Sequence, residues 1–109
     1  LDPLHSDLNL HILGQCYFVL QEFEPAAVYF RQRIEQNPNT DSSLVFLAGI
    51  YGIQGRIEEA RELWDKVFVV NPGYSLLERA RIWPFKKPDV VNMLYDGLAK
   101  AGIDPGPKP

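Results

Sequence analysis

Apolar residues along the chain return at steps of three and four, in bursts separated by polar turns. Leu10, Leu13, Tyr17 and Leu20 form the first burst, and Phe23, Ala26, Ala27, Phe30 and Ile34 the second. That spacing puts each set on one face of a helix. It predicts two amphipathic helices rather than strands, whose apolar residues would alternate. The double burst then repeats. At an offset of 34 residues Leu10 falls on Leu44, Leu13 on Leu47, Tyr17 on Tyr51, Ala26 on Ala60, Phe30 on Trp64, Asn37 on Asn71 and Pro38 on Pro72. Small, aromatic and proline positions recurring together mark a repeat architecture, in which each unit is a helical hairpin that buries its apolar face against a neighbour.

The punctuation fits the periodicity. Gly55 lies where the first helix of the second unit must stop, and glycine tolerates the left-handed conformation that ends helices. Pro38 and Pro72 each follow a helix end, where the missing amide hydrogen does no harm. Gln21 holds the place of Gly55 in the first unit, so that turn must strain or bend differently, at about 1 kcal/mol. Pro25 is accommodated by falling in the first turn of its helix. Ala26 and Ala60 are small where helices cross closely, and Phe30 and Trp64 fill the space between the helices of a unit and its neighbour.

A third unit would begin at Ser75, but the pattern fails there. Leu76, Leu77, Ala80 and Trp83 make one short amphipathic helix that Pro84 stops, suited to covering the last unit's apolar face. Pro84 then turns the chain, Phe85 anchors the turn, and Pro88 restarts a helix with Asp89 in its first turn. Val90, Val91, Leu94, Leu98 and Ala101 step along one face until Gly102 ends it. The expected organisation is therefore a lead-in over 1–6, hairpins over 7–40 and 41–74, a capping helix over 75–83, a proline turn over 84–88, a C-terminal helix over 89–102 and a flexible tail over 103–109. The fold class is all-α.

The motifs L10-xx-LG-xx-Y17, A26-xxx-F30 and P38, then L44-xx-LA-xx-Y51, A60-xxx-W64 and P72, resemble two tetratricopeptide repeats, with Leu in place of the usual first Trp. The resemblance covers residues 7–74 and implies an α-α superhelix of two helix-turn-helix repeats, closed here by the capping and C-terminal helices. The run GYSLLERARIWPFKKPDVVNMLYDGLAKAGI, with the lead-in LDPLHSDLNLHILGQCYF, is also similar to the closing segment of bacterial proteins that join a class III adenylate or guanylate cyclase domain to such repeats. In that pattern the residue before the second proline is commonly Asp, a good helix cap, whereas this chain has Lys87. The resemblance implies a cytoplasmic, non-catalytic interaction or regulatory module of a larger signalling protein. Any cyclase carboxylates and nucleotide pocket would belong to a domain outside these residues.

Composition narrows the reading further. The chain has 109 residues, enough for one core, since burial at this size already exceeds about 60% of the unfolded surface. Its 46% apolar and 23% charged residues are those of a globular protein, and no apolar run approaches the roughly 18 residues of a membrane span. A net charge of −3, with Lys86 and Lys87 the only adjacent basic pair, argues against nucleic acid as partner. The single Cys16 cannot form an internal disulfide and fits a reducing cytoplasm. The N-terminal stretch LDPLHSDL lacks a basic start before an apolar run, so it does not read as a signal peptide, and it is expected to continue from a preceding segment.

Candidate chemistry is sparse. His5 and His11 are six apart and on different helix faces, whereas a metal pair wants steps of three or four. His11 and Cys16 lack an orienting Asn or Asp at helical spacing. GIYGIQGR has glycines, but falls within a helix and lacks the GK[ST] ending of a phosphate loop. Glu58, Glu59, Arg61, Glu62, Asp65 and Lys66 carry opposite charges three or four apart, as a solvated helix surface does. No catalytic residue, cofactor or metal site is assigned.

Contact with a partner is the remaining expectation. Repeats of the resembled kind bind extended or helical peptides on a concave face lined by the first helix of each unit. The matching positions are Leu8, His11, Gln15, Phe18 and Val19 in the first unit and Ser42, Val45, Gly49, Gly52 and Ile53 in the second. Family members that clamp a carboxylate use Lys and Asn there, where this chain has His11 and Gln15. The face is neutral and apolar, with small residues that admit another helix: a partner's, a sister chain's in a homodimer, or this chain's own C-terminal helix. A self-association element or spacer is the alternative function.

Overall fold

The computed structural model describes residues 7–83 and 88–109. Among these residues there are six helices and no strand: α1 (Asp7–Val19), α2 (Phe23–Gln36), α3 (Asp41–Ile53), α4 (Ile57–Val70), α5 (Leu76–Ile82) and α6 (Pro88–Lys100). The expected lead-in over 1–6, the turn at Pro84 and the anchoring role of Phe85 lie outside the described residues.

Local sequence explains the helix boundaries. Thr40 caps α3 by accepting a hydrogen bond from the Ser43 amide at 3.4 Å, and Ser75 caps α5 by accepting one from the Glu78 amide at 3.3 Å. α1, α3 and α6 end alike. The amides of Glu22, Arg56 and Ile103 reach back to the carbonyls of Tyr17, Tyr51 and Leu98, while those of Gln21, Gly55 and Gly102 bond to Phe18, Gly52 and Ala99. This is the paired bond pattern that closes a helix through one left-handed residue. Gly55 and Gly102 take that conformation at φ 78° and 74°, and Gln21 takes it at φ 61°. The first turn therefore keeps the repeat geometry and strains Gln21. After α2 and α4, the side-chain carbonyls of Asn37 and Asn71 accept bonds from the amides two residues on, at 3.2 Å in both, so one turn recurs at the repeat offset.

Packing follows chain order. α1 pairs with α2 and α3 with α4 as two hairpins, α2 lies against α3, and α6 returns to pack along α3. α3 is thus covered on several sides, and every residue from Ser43 to Gly52 is buried. A helix apolar all round belongs in an interior, which is what DSSLVFLAGIYGI encodes. The centre is aromatic. Phe46 of α3 sits 5.2 Å from Phe18, 5.3 Å from Phe30 and 5.2 Å from Trp83, ring centre to ring centre. Trp83, from the short helix expected as a cap, therefore reaches the main core. Gly14 leaves room for Phe30, since a Cβ there would stand 2.7 Å from the ring.

Residues 103–109 have no regular structure but lie against α6. Ile103 is buried, the Tyr95 hydroxyl donates to the Pro107 carbonyl at 3.0 Å, and the Lys108 ammonium stands 5.8 Å from the centre of the Tyr95 ring.

Candidate protein-interaction surface

The face of α3 read as a binding surface is taken up by α6. Gly49 and Gly52 lie one turn apart on α3 and face Gly97 of α6. A Cβ at Gly52 would overlap the Gly97 carbonyl, and a Cβ at Gly97 would overlap that of Gly49. The backbones touch, as small residues at a helix crossing allow. Leu94 and Leu98 flank the contact and are fully buried, as is Val45. Ile53 is partly buried beside Gly97, and Ser42 accepts a hydrogen bond from the Arg79 guanidinium at 3.0 Å. In the second hairpin these positions serve the chain's own closing segment.

The first hairpin is different. Phe18 is in the core, and His11 is buried between the hairpins, its Nδ1 2.8 Å from the Ser43 hydroxyl and its ring edge-on to Phe30 and Phe46. Arg33 donates to the same hydroxyl at 3.2 Å. His11 therefore joins two hairpins, and its contacts with Ser43 and Phe46 span 32 or more positions, beyond the reach of local spacing. Gln15 is half-buried, whereas Leu8 and Val19 are open to solvent, Leu8 at 62% of its surface.

Ile12, Cys16 and Leu20 are exposed too, and Leu20, which its spacing places on the packing face of the first helix, instead stands just past the end of α1 at 66% exposure. Leu8, Ile12 and Val19 lie within a narrow arc of the helix circumference, with Gln15 among them and Cys16 and Leu20 along one flank. A signal was available at the repeat offset, where Ile12 falls on Phe46 and Cys16 on Ile50, both fully buried.

No known family matches this sequence, and no curated protein does. Function must be read from the surface itself.

A cleft of about 490 Å³ opens between the end of α1 and α6, lined by Val19, Gln21, Asp89, Met93 and Asp96 among others. It brings two exposed carboxylates, Asp89 and Asp96, beside apolar side chains, and among the described residues no histidine, cysteine, lysine or arginine lines it. Among the described residues no three His, Cys, Asp or Glu side chains gather as metal ligands would, and no helix is long and apolar enough to cross a membrane.

The clearest polar constellation joins α5 to α3. The Arg79 guanidinium donates to both Asp41 carboxylate oxygens, at 3.2 and 2.8 Å, and Asn71 donates to the second at 3.0 Å. Partial burial pushes the Asp41 carboxyl up, but the bonds from Asn71 and Arg79 outweigh it and hold the group below its usual value. Arg79 also lies over the Tyr74 ring at 5.1 Å. Burial pushes the Tyr74 phenol well above its usual value, and its hydroxyl has no hydrogen-bond partner. Each of these groups is turned towards the chain itself. The arrangement ties α5 to α3.

Proposed function

We propose that this chain is a non-catalytic helical-repeat module that binds protein, with tetratricopeptide-type hairpins and a regulatory role in a larger bacterial signalling protein of the adenylate or guanylate cyclase kind. The observation that carries the interaction reading is the uncharged, solvent-exposed stripe of Leu8, Ile12 and Val19 on α1, flanked by Leu20 at 66% exposure. Exposed apolar residues scattered singly need no explanation, whereas a contiguous stripe on a rigid helix marks a contact surface. The recurrence of the hairpin at 34 residues supports the repeat assignment, and the paired left-handed terminators at Gln21 and Gly55 support it independently. The cyclase context rests on the likeness of the closing segment alone.

Site-specific photo-crosslinking tests the reading. A photoreactive side chain at Leu8 or Val19 should capture a discrete protein in cells that make the full parent, and the same group at Asp65 on α4 should not. Equal capture from all three positions, or from none, would reject the module.

A further inference from the structure

We propose that the cleft between the end of α1 and α6 receives a basic helix of a partner protein, with two arginine or lysine side chains seven residues apart on Asp89 and Asp96 and an apolar side chain seated between them. The inference rests on the interaction reading above and names the chemistry of the partner. Helix geometry carries it. Asp89, Met93 and Asp96 follow at steps of four and three, so they form one stripe along α6, with the two carboxylates about 10 Å apart along the axis. Val19 and Gln21 stand on the opposite wall, and Val90 is buried beneath. The stripe therefore carries negative charge at both ends and apolar surface in the middle.

Charge and spacing select the occupant. Both carboxylates are exposed, and among the described residues neither takes part in an ion pair. Lys100, one turn beyond Asp96, is exposed and forms none either. One metal ion cannot be shared at that separation, since calcium wants its oxygens within about 2.6 Å, and a phosphate backbone would be repelled. Two cations seven residues apart on a helix reproduce the step of about 10 Å, and a leucine three or four residues after the first falls between them. Arginine fits best, because its guanidinium meets a carboxylate through two parallel hydrogen bonds. The cleft, at about 490 Å³, has room for side chains rather than a whole helix, so the partner lies across its mouth. Ion pairs open to water are individually weak. Affinity therefore comes from the two charges acting with the apolar anchor, and falls as salt rises.

Fluorescence anisotropy of a labelled alanine-based helical peptide, titrated with the purified chain, tests this. The probe carries arginines seven residues apart with leucine midway, and a second peptide of equal charge has its arginines five apart, on different helix faces. The first should bind about tenfold more tightly than the second, and its affinity should fall as salt is raised. Asp89→Asn with Asp96→Asn should erase that preference, whereas Asp65→Asn, at an exposed position on α4, should keep it. Circular dichroism melts check that each variant folds, and Asp96→Asn alone, beyond the first turn of α6, stands in should the double variant unfold, with a loss of about threefold. Equal binding of the two peptides, binding of neither, or a preference that survives removal of both carboxylates overturns the proposal. So does binding that emerges only in Lys86→Gln with Lys87→Gln, which would mean that the chain's own lysines hold the cleft. If the peptides fail while Val19 still captures a protein by crosslinking, the basic partner falls and the interaction module stands. Failure of both removes both.

Discussion

Gly52 of α3 meets Gly97 of α6 backbone to backbone, and that contact closes the face of the second hairpin that sequence alone left open. Gly97→Ala should therefore destabilise the protein although alanine is the better helix former. The methyl group would push the two helices apart against the Gly49 carbonyl, at about 3 kcal/mol, against a propensity gain of about 1 kcal/mol. A net loss of about 2 kcal/mol is expected in urea unfolding. An unchanged midpoint would mean that α6 does not pack on α3 at this distance.

Gln21 offers the opposite sign. It occupies the left-handed position that Gly55 and Gly102 fill in the other two terminators, at φ 61°, and its side chain is exposed. Gln21→Gly removes the steric penalty of that conformation while keeping the amide bonds to Phe18 and Tyr17. Stability should rise by about 1 kcal/mol. The mirror substitution, Gly55→Ala, places its Cβ in open space yet should lose a similar amount, since only the backbone is strained. Thermal melts of the two variants that shift in the same direction would contradict this account.

These two cases mark where the sequence was legible. Helix spacing, terminators and the glycine-to-glutamine departure are local, so periodicity and the 34-residue repeat carry them. The destination of α6 is a different kind of fact. Val90, Leu94, Leu98 and Ala101 announce a buried face without saying what buries it, because several apolar surfaces compete for it. The same holds for His11, whose partners Ser43 and Phe46 belong to the next hairpin, and for Arg79, whose carboxylate lies 38 positions away. The surface stripe on α1 is half legible: Leu8 and Val19 fall among the positions expected to meet a partner, whereas Leu20 belongs by spacing to the packing face and Ile12 to neither set.

Tyr74 carries a buried hydroxyl with no partner, while its ring packs edge-on against Trp64 and Phe68 at 6.4 Å from each. Leaving a polar atom unbonded in the interior is unfavourable, whereas the ring contacts do not need the oxygen. Tyr74→Phe should be stabilising by about 1 kcal/mol, read as a higher urea midpoint with an unchanged slope. A loss of stability would mean that the hydroxyl is bonded in solution, most simply to water.

Asp41 ties acid stability to the docking of α5. Its carboxyl is held below the ordinary value of 3.8 by Asn71 and Arg79, despite the opposing effect of burial, and its side chain is only 16% exposed. A group whose folded value is depressed contributes stability that is complete above its unfolded value and is lost as the pH falls through the folded one. The wild type should therefore hold its urea midpoint from neutral pH down to about 4 and lose it below. Asp41→Asn should be less stable at neutral pH by about 1 kcal/mol, because Arg79 keeps its charge and loses its anion. Below pH 4 the two proteins should converge as the wild-type carboxyl takes up its proton. Parallel curves with a constant gap through that window would show that Asp41 titrates normally, and that the bonds from Arg79 and Asn71 do not favour its charged form.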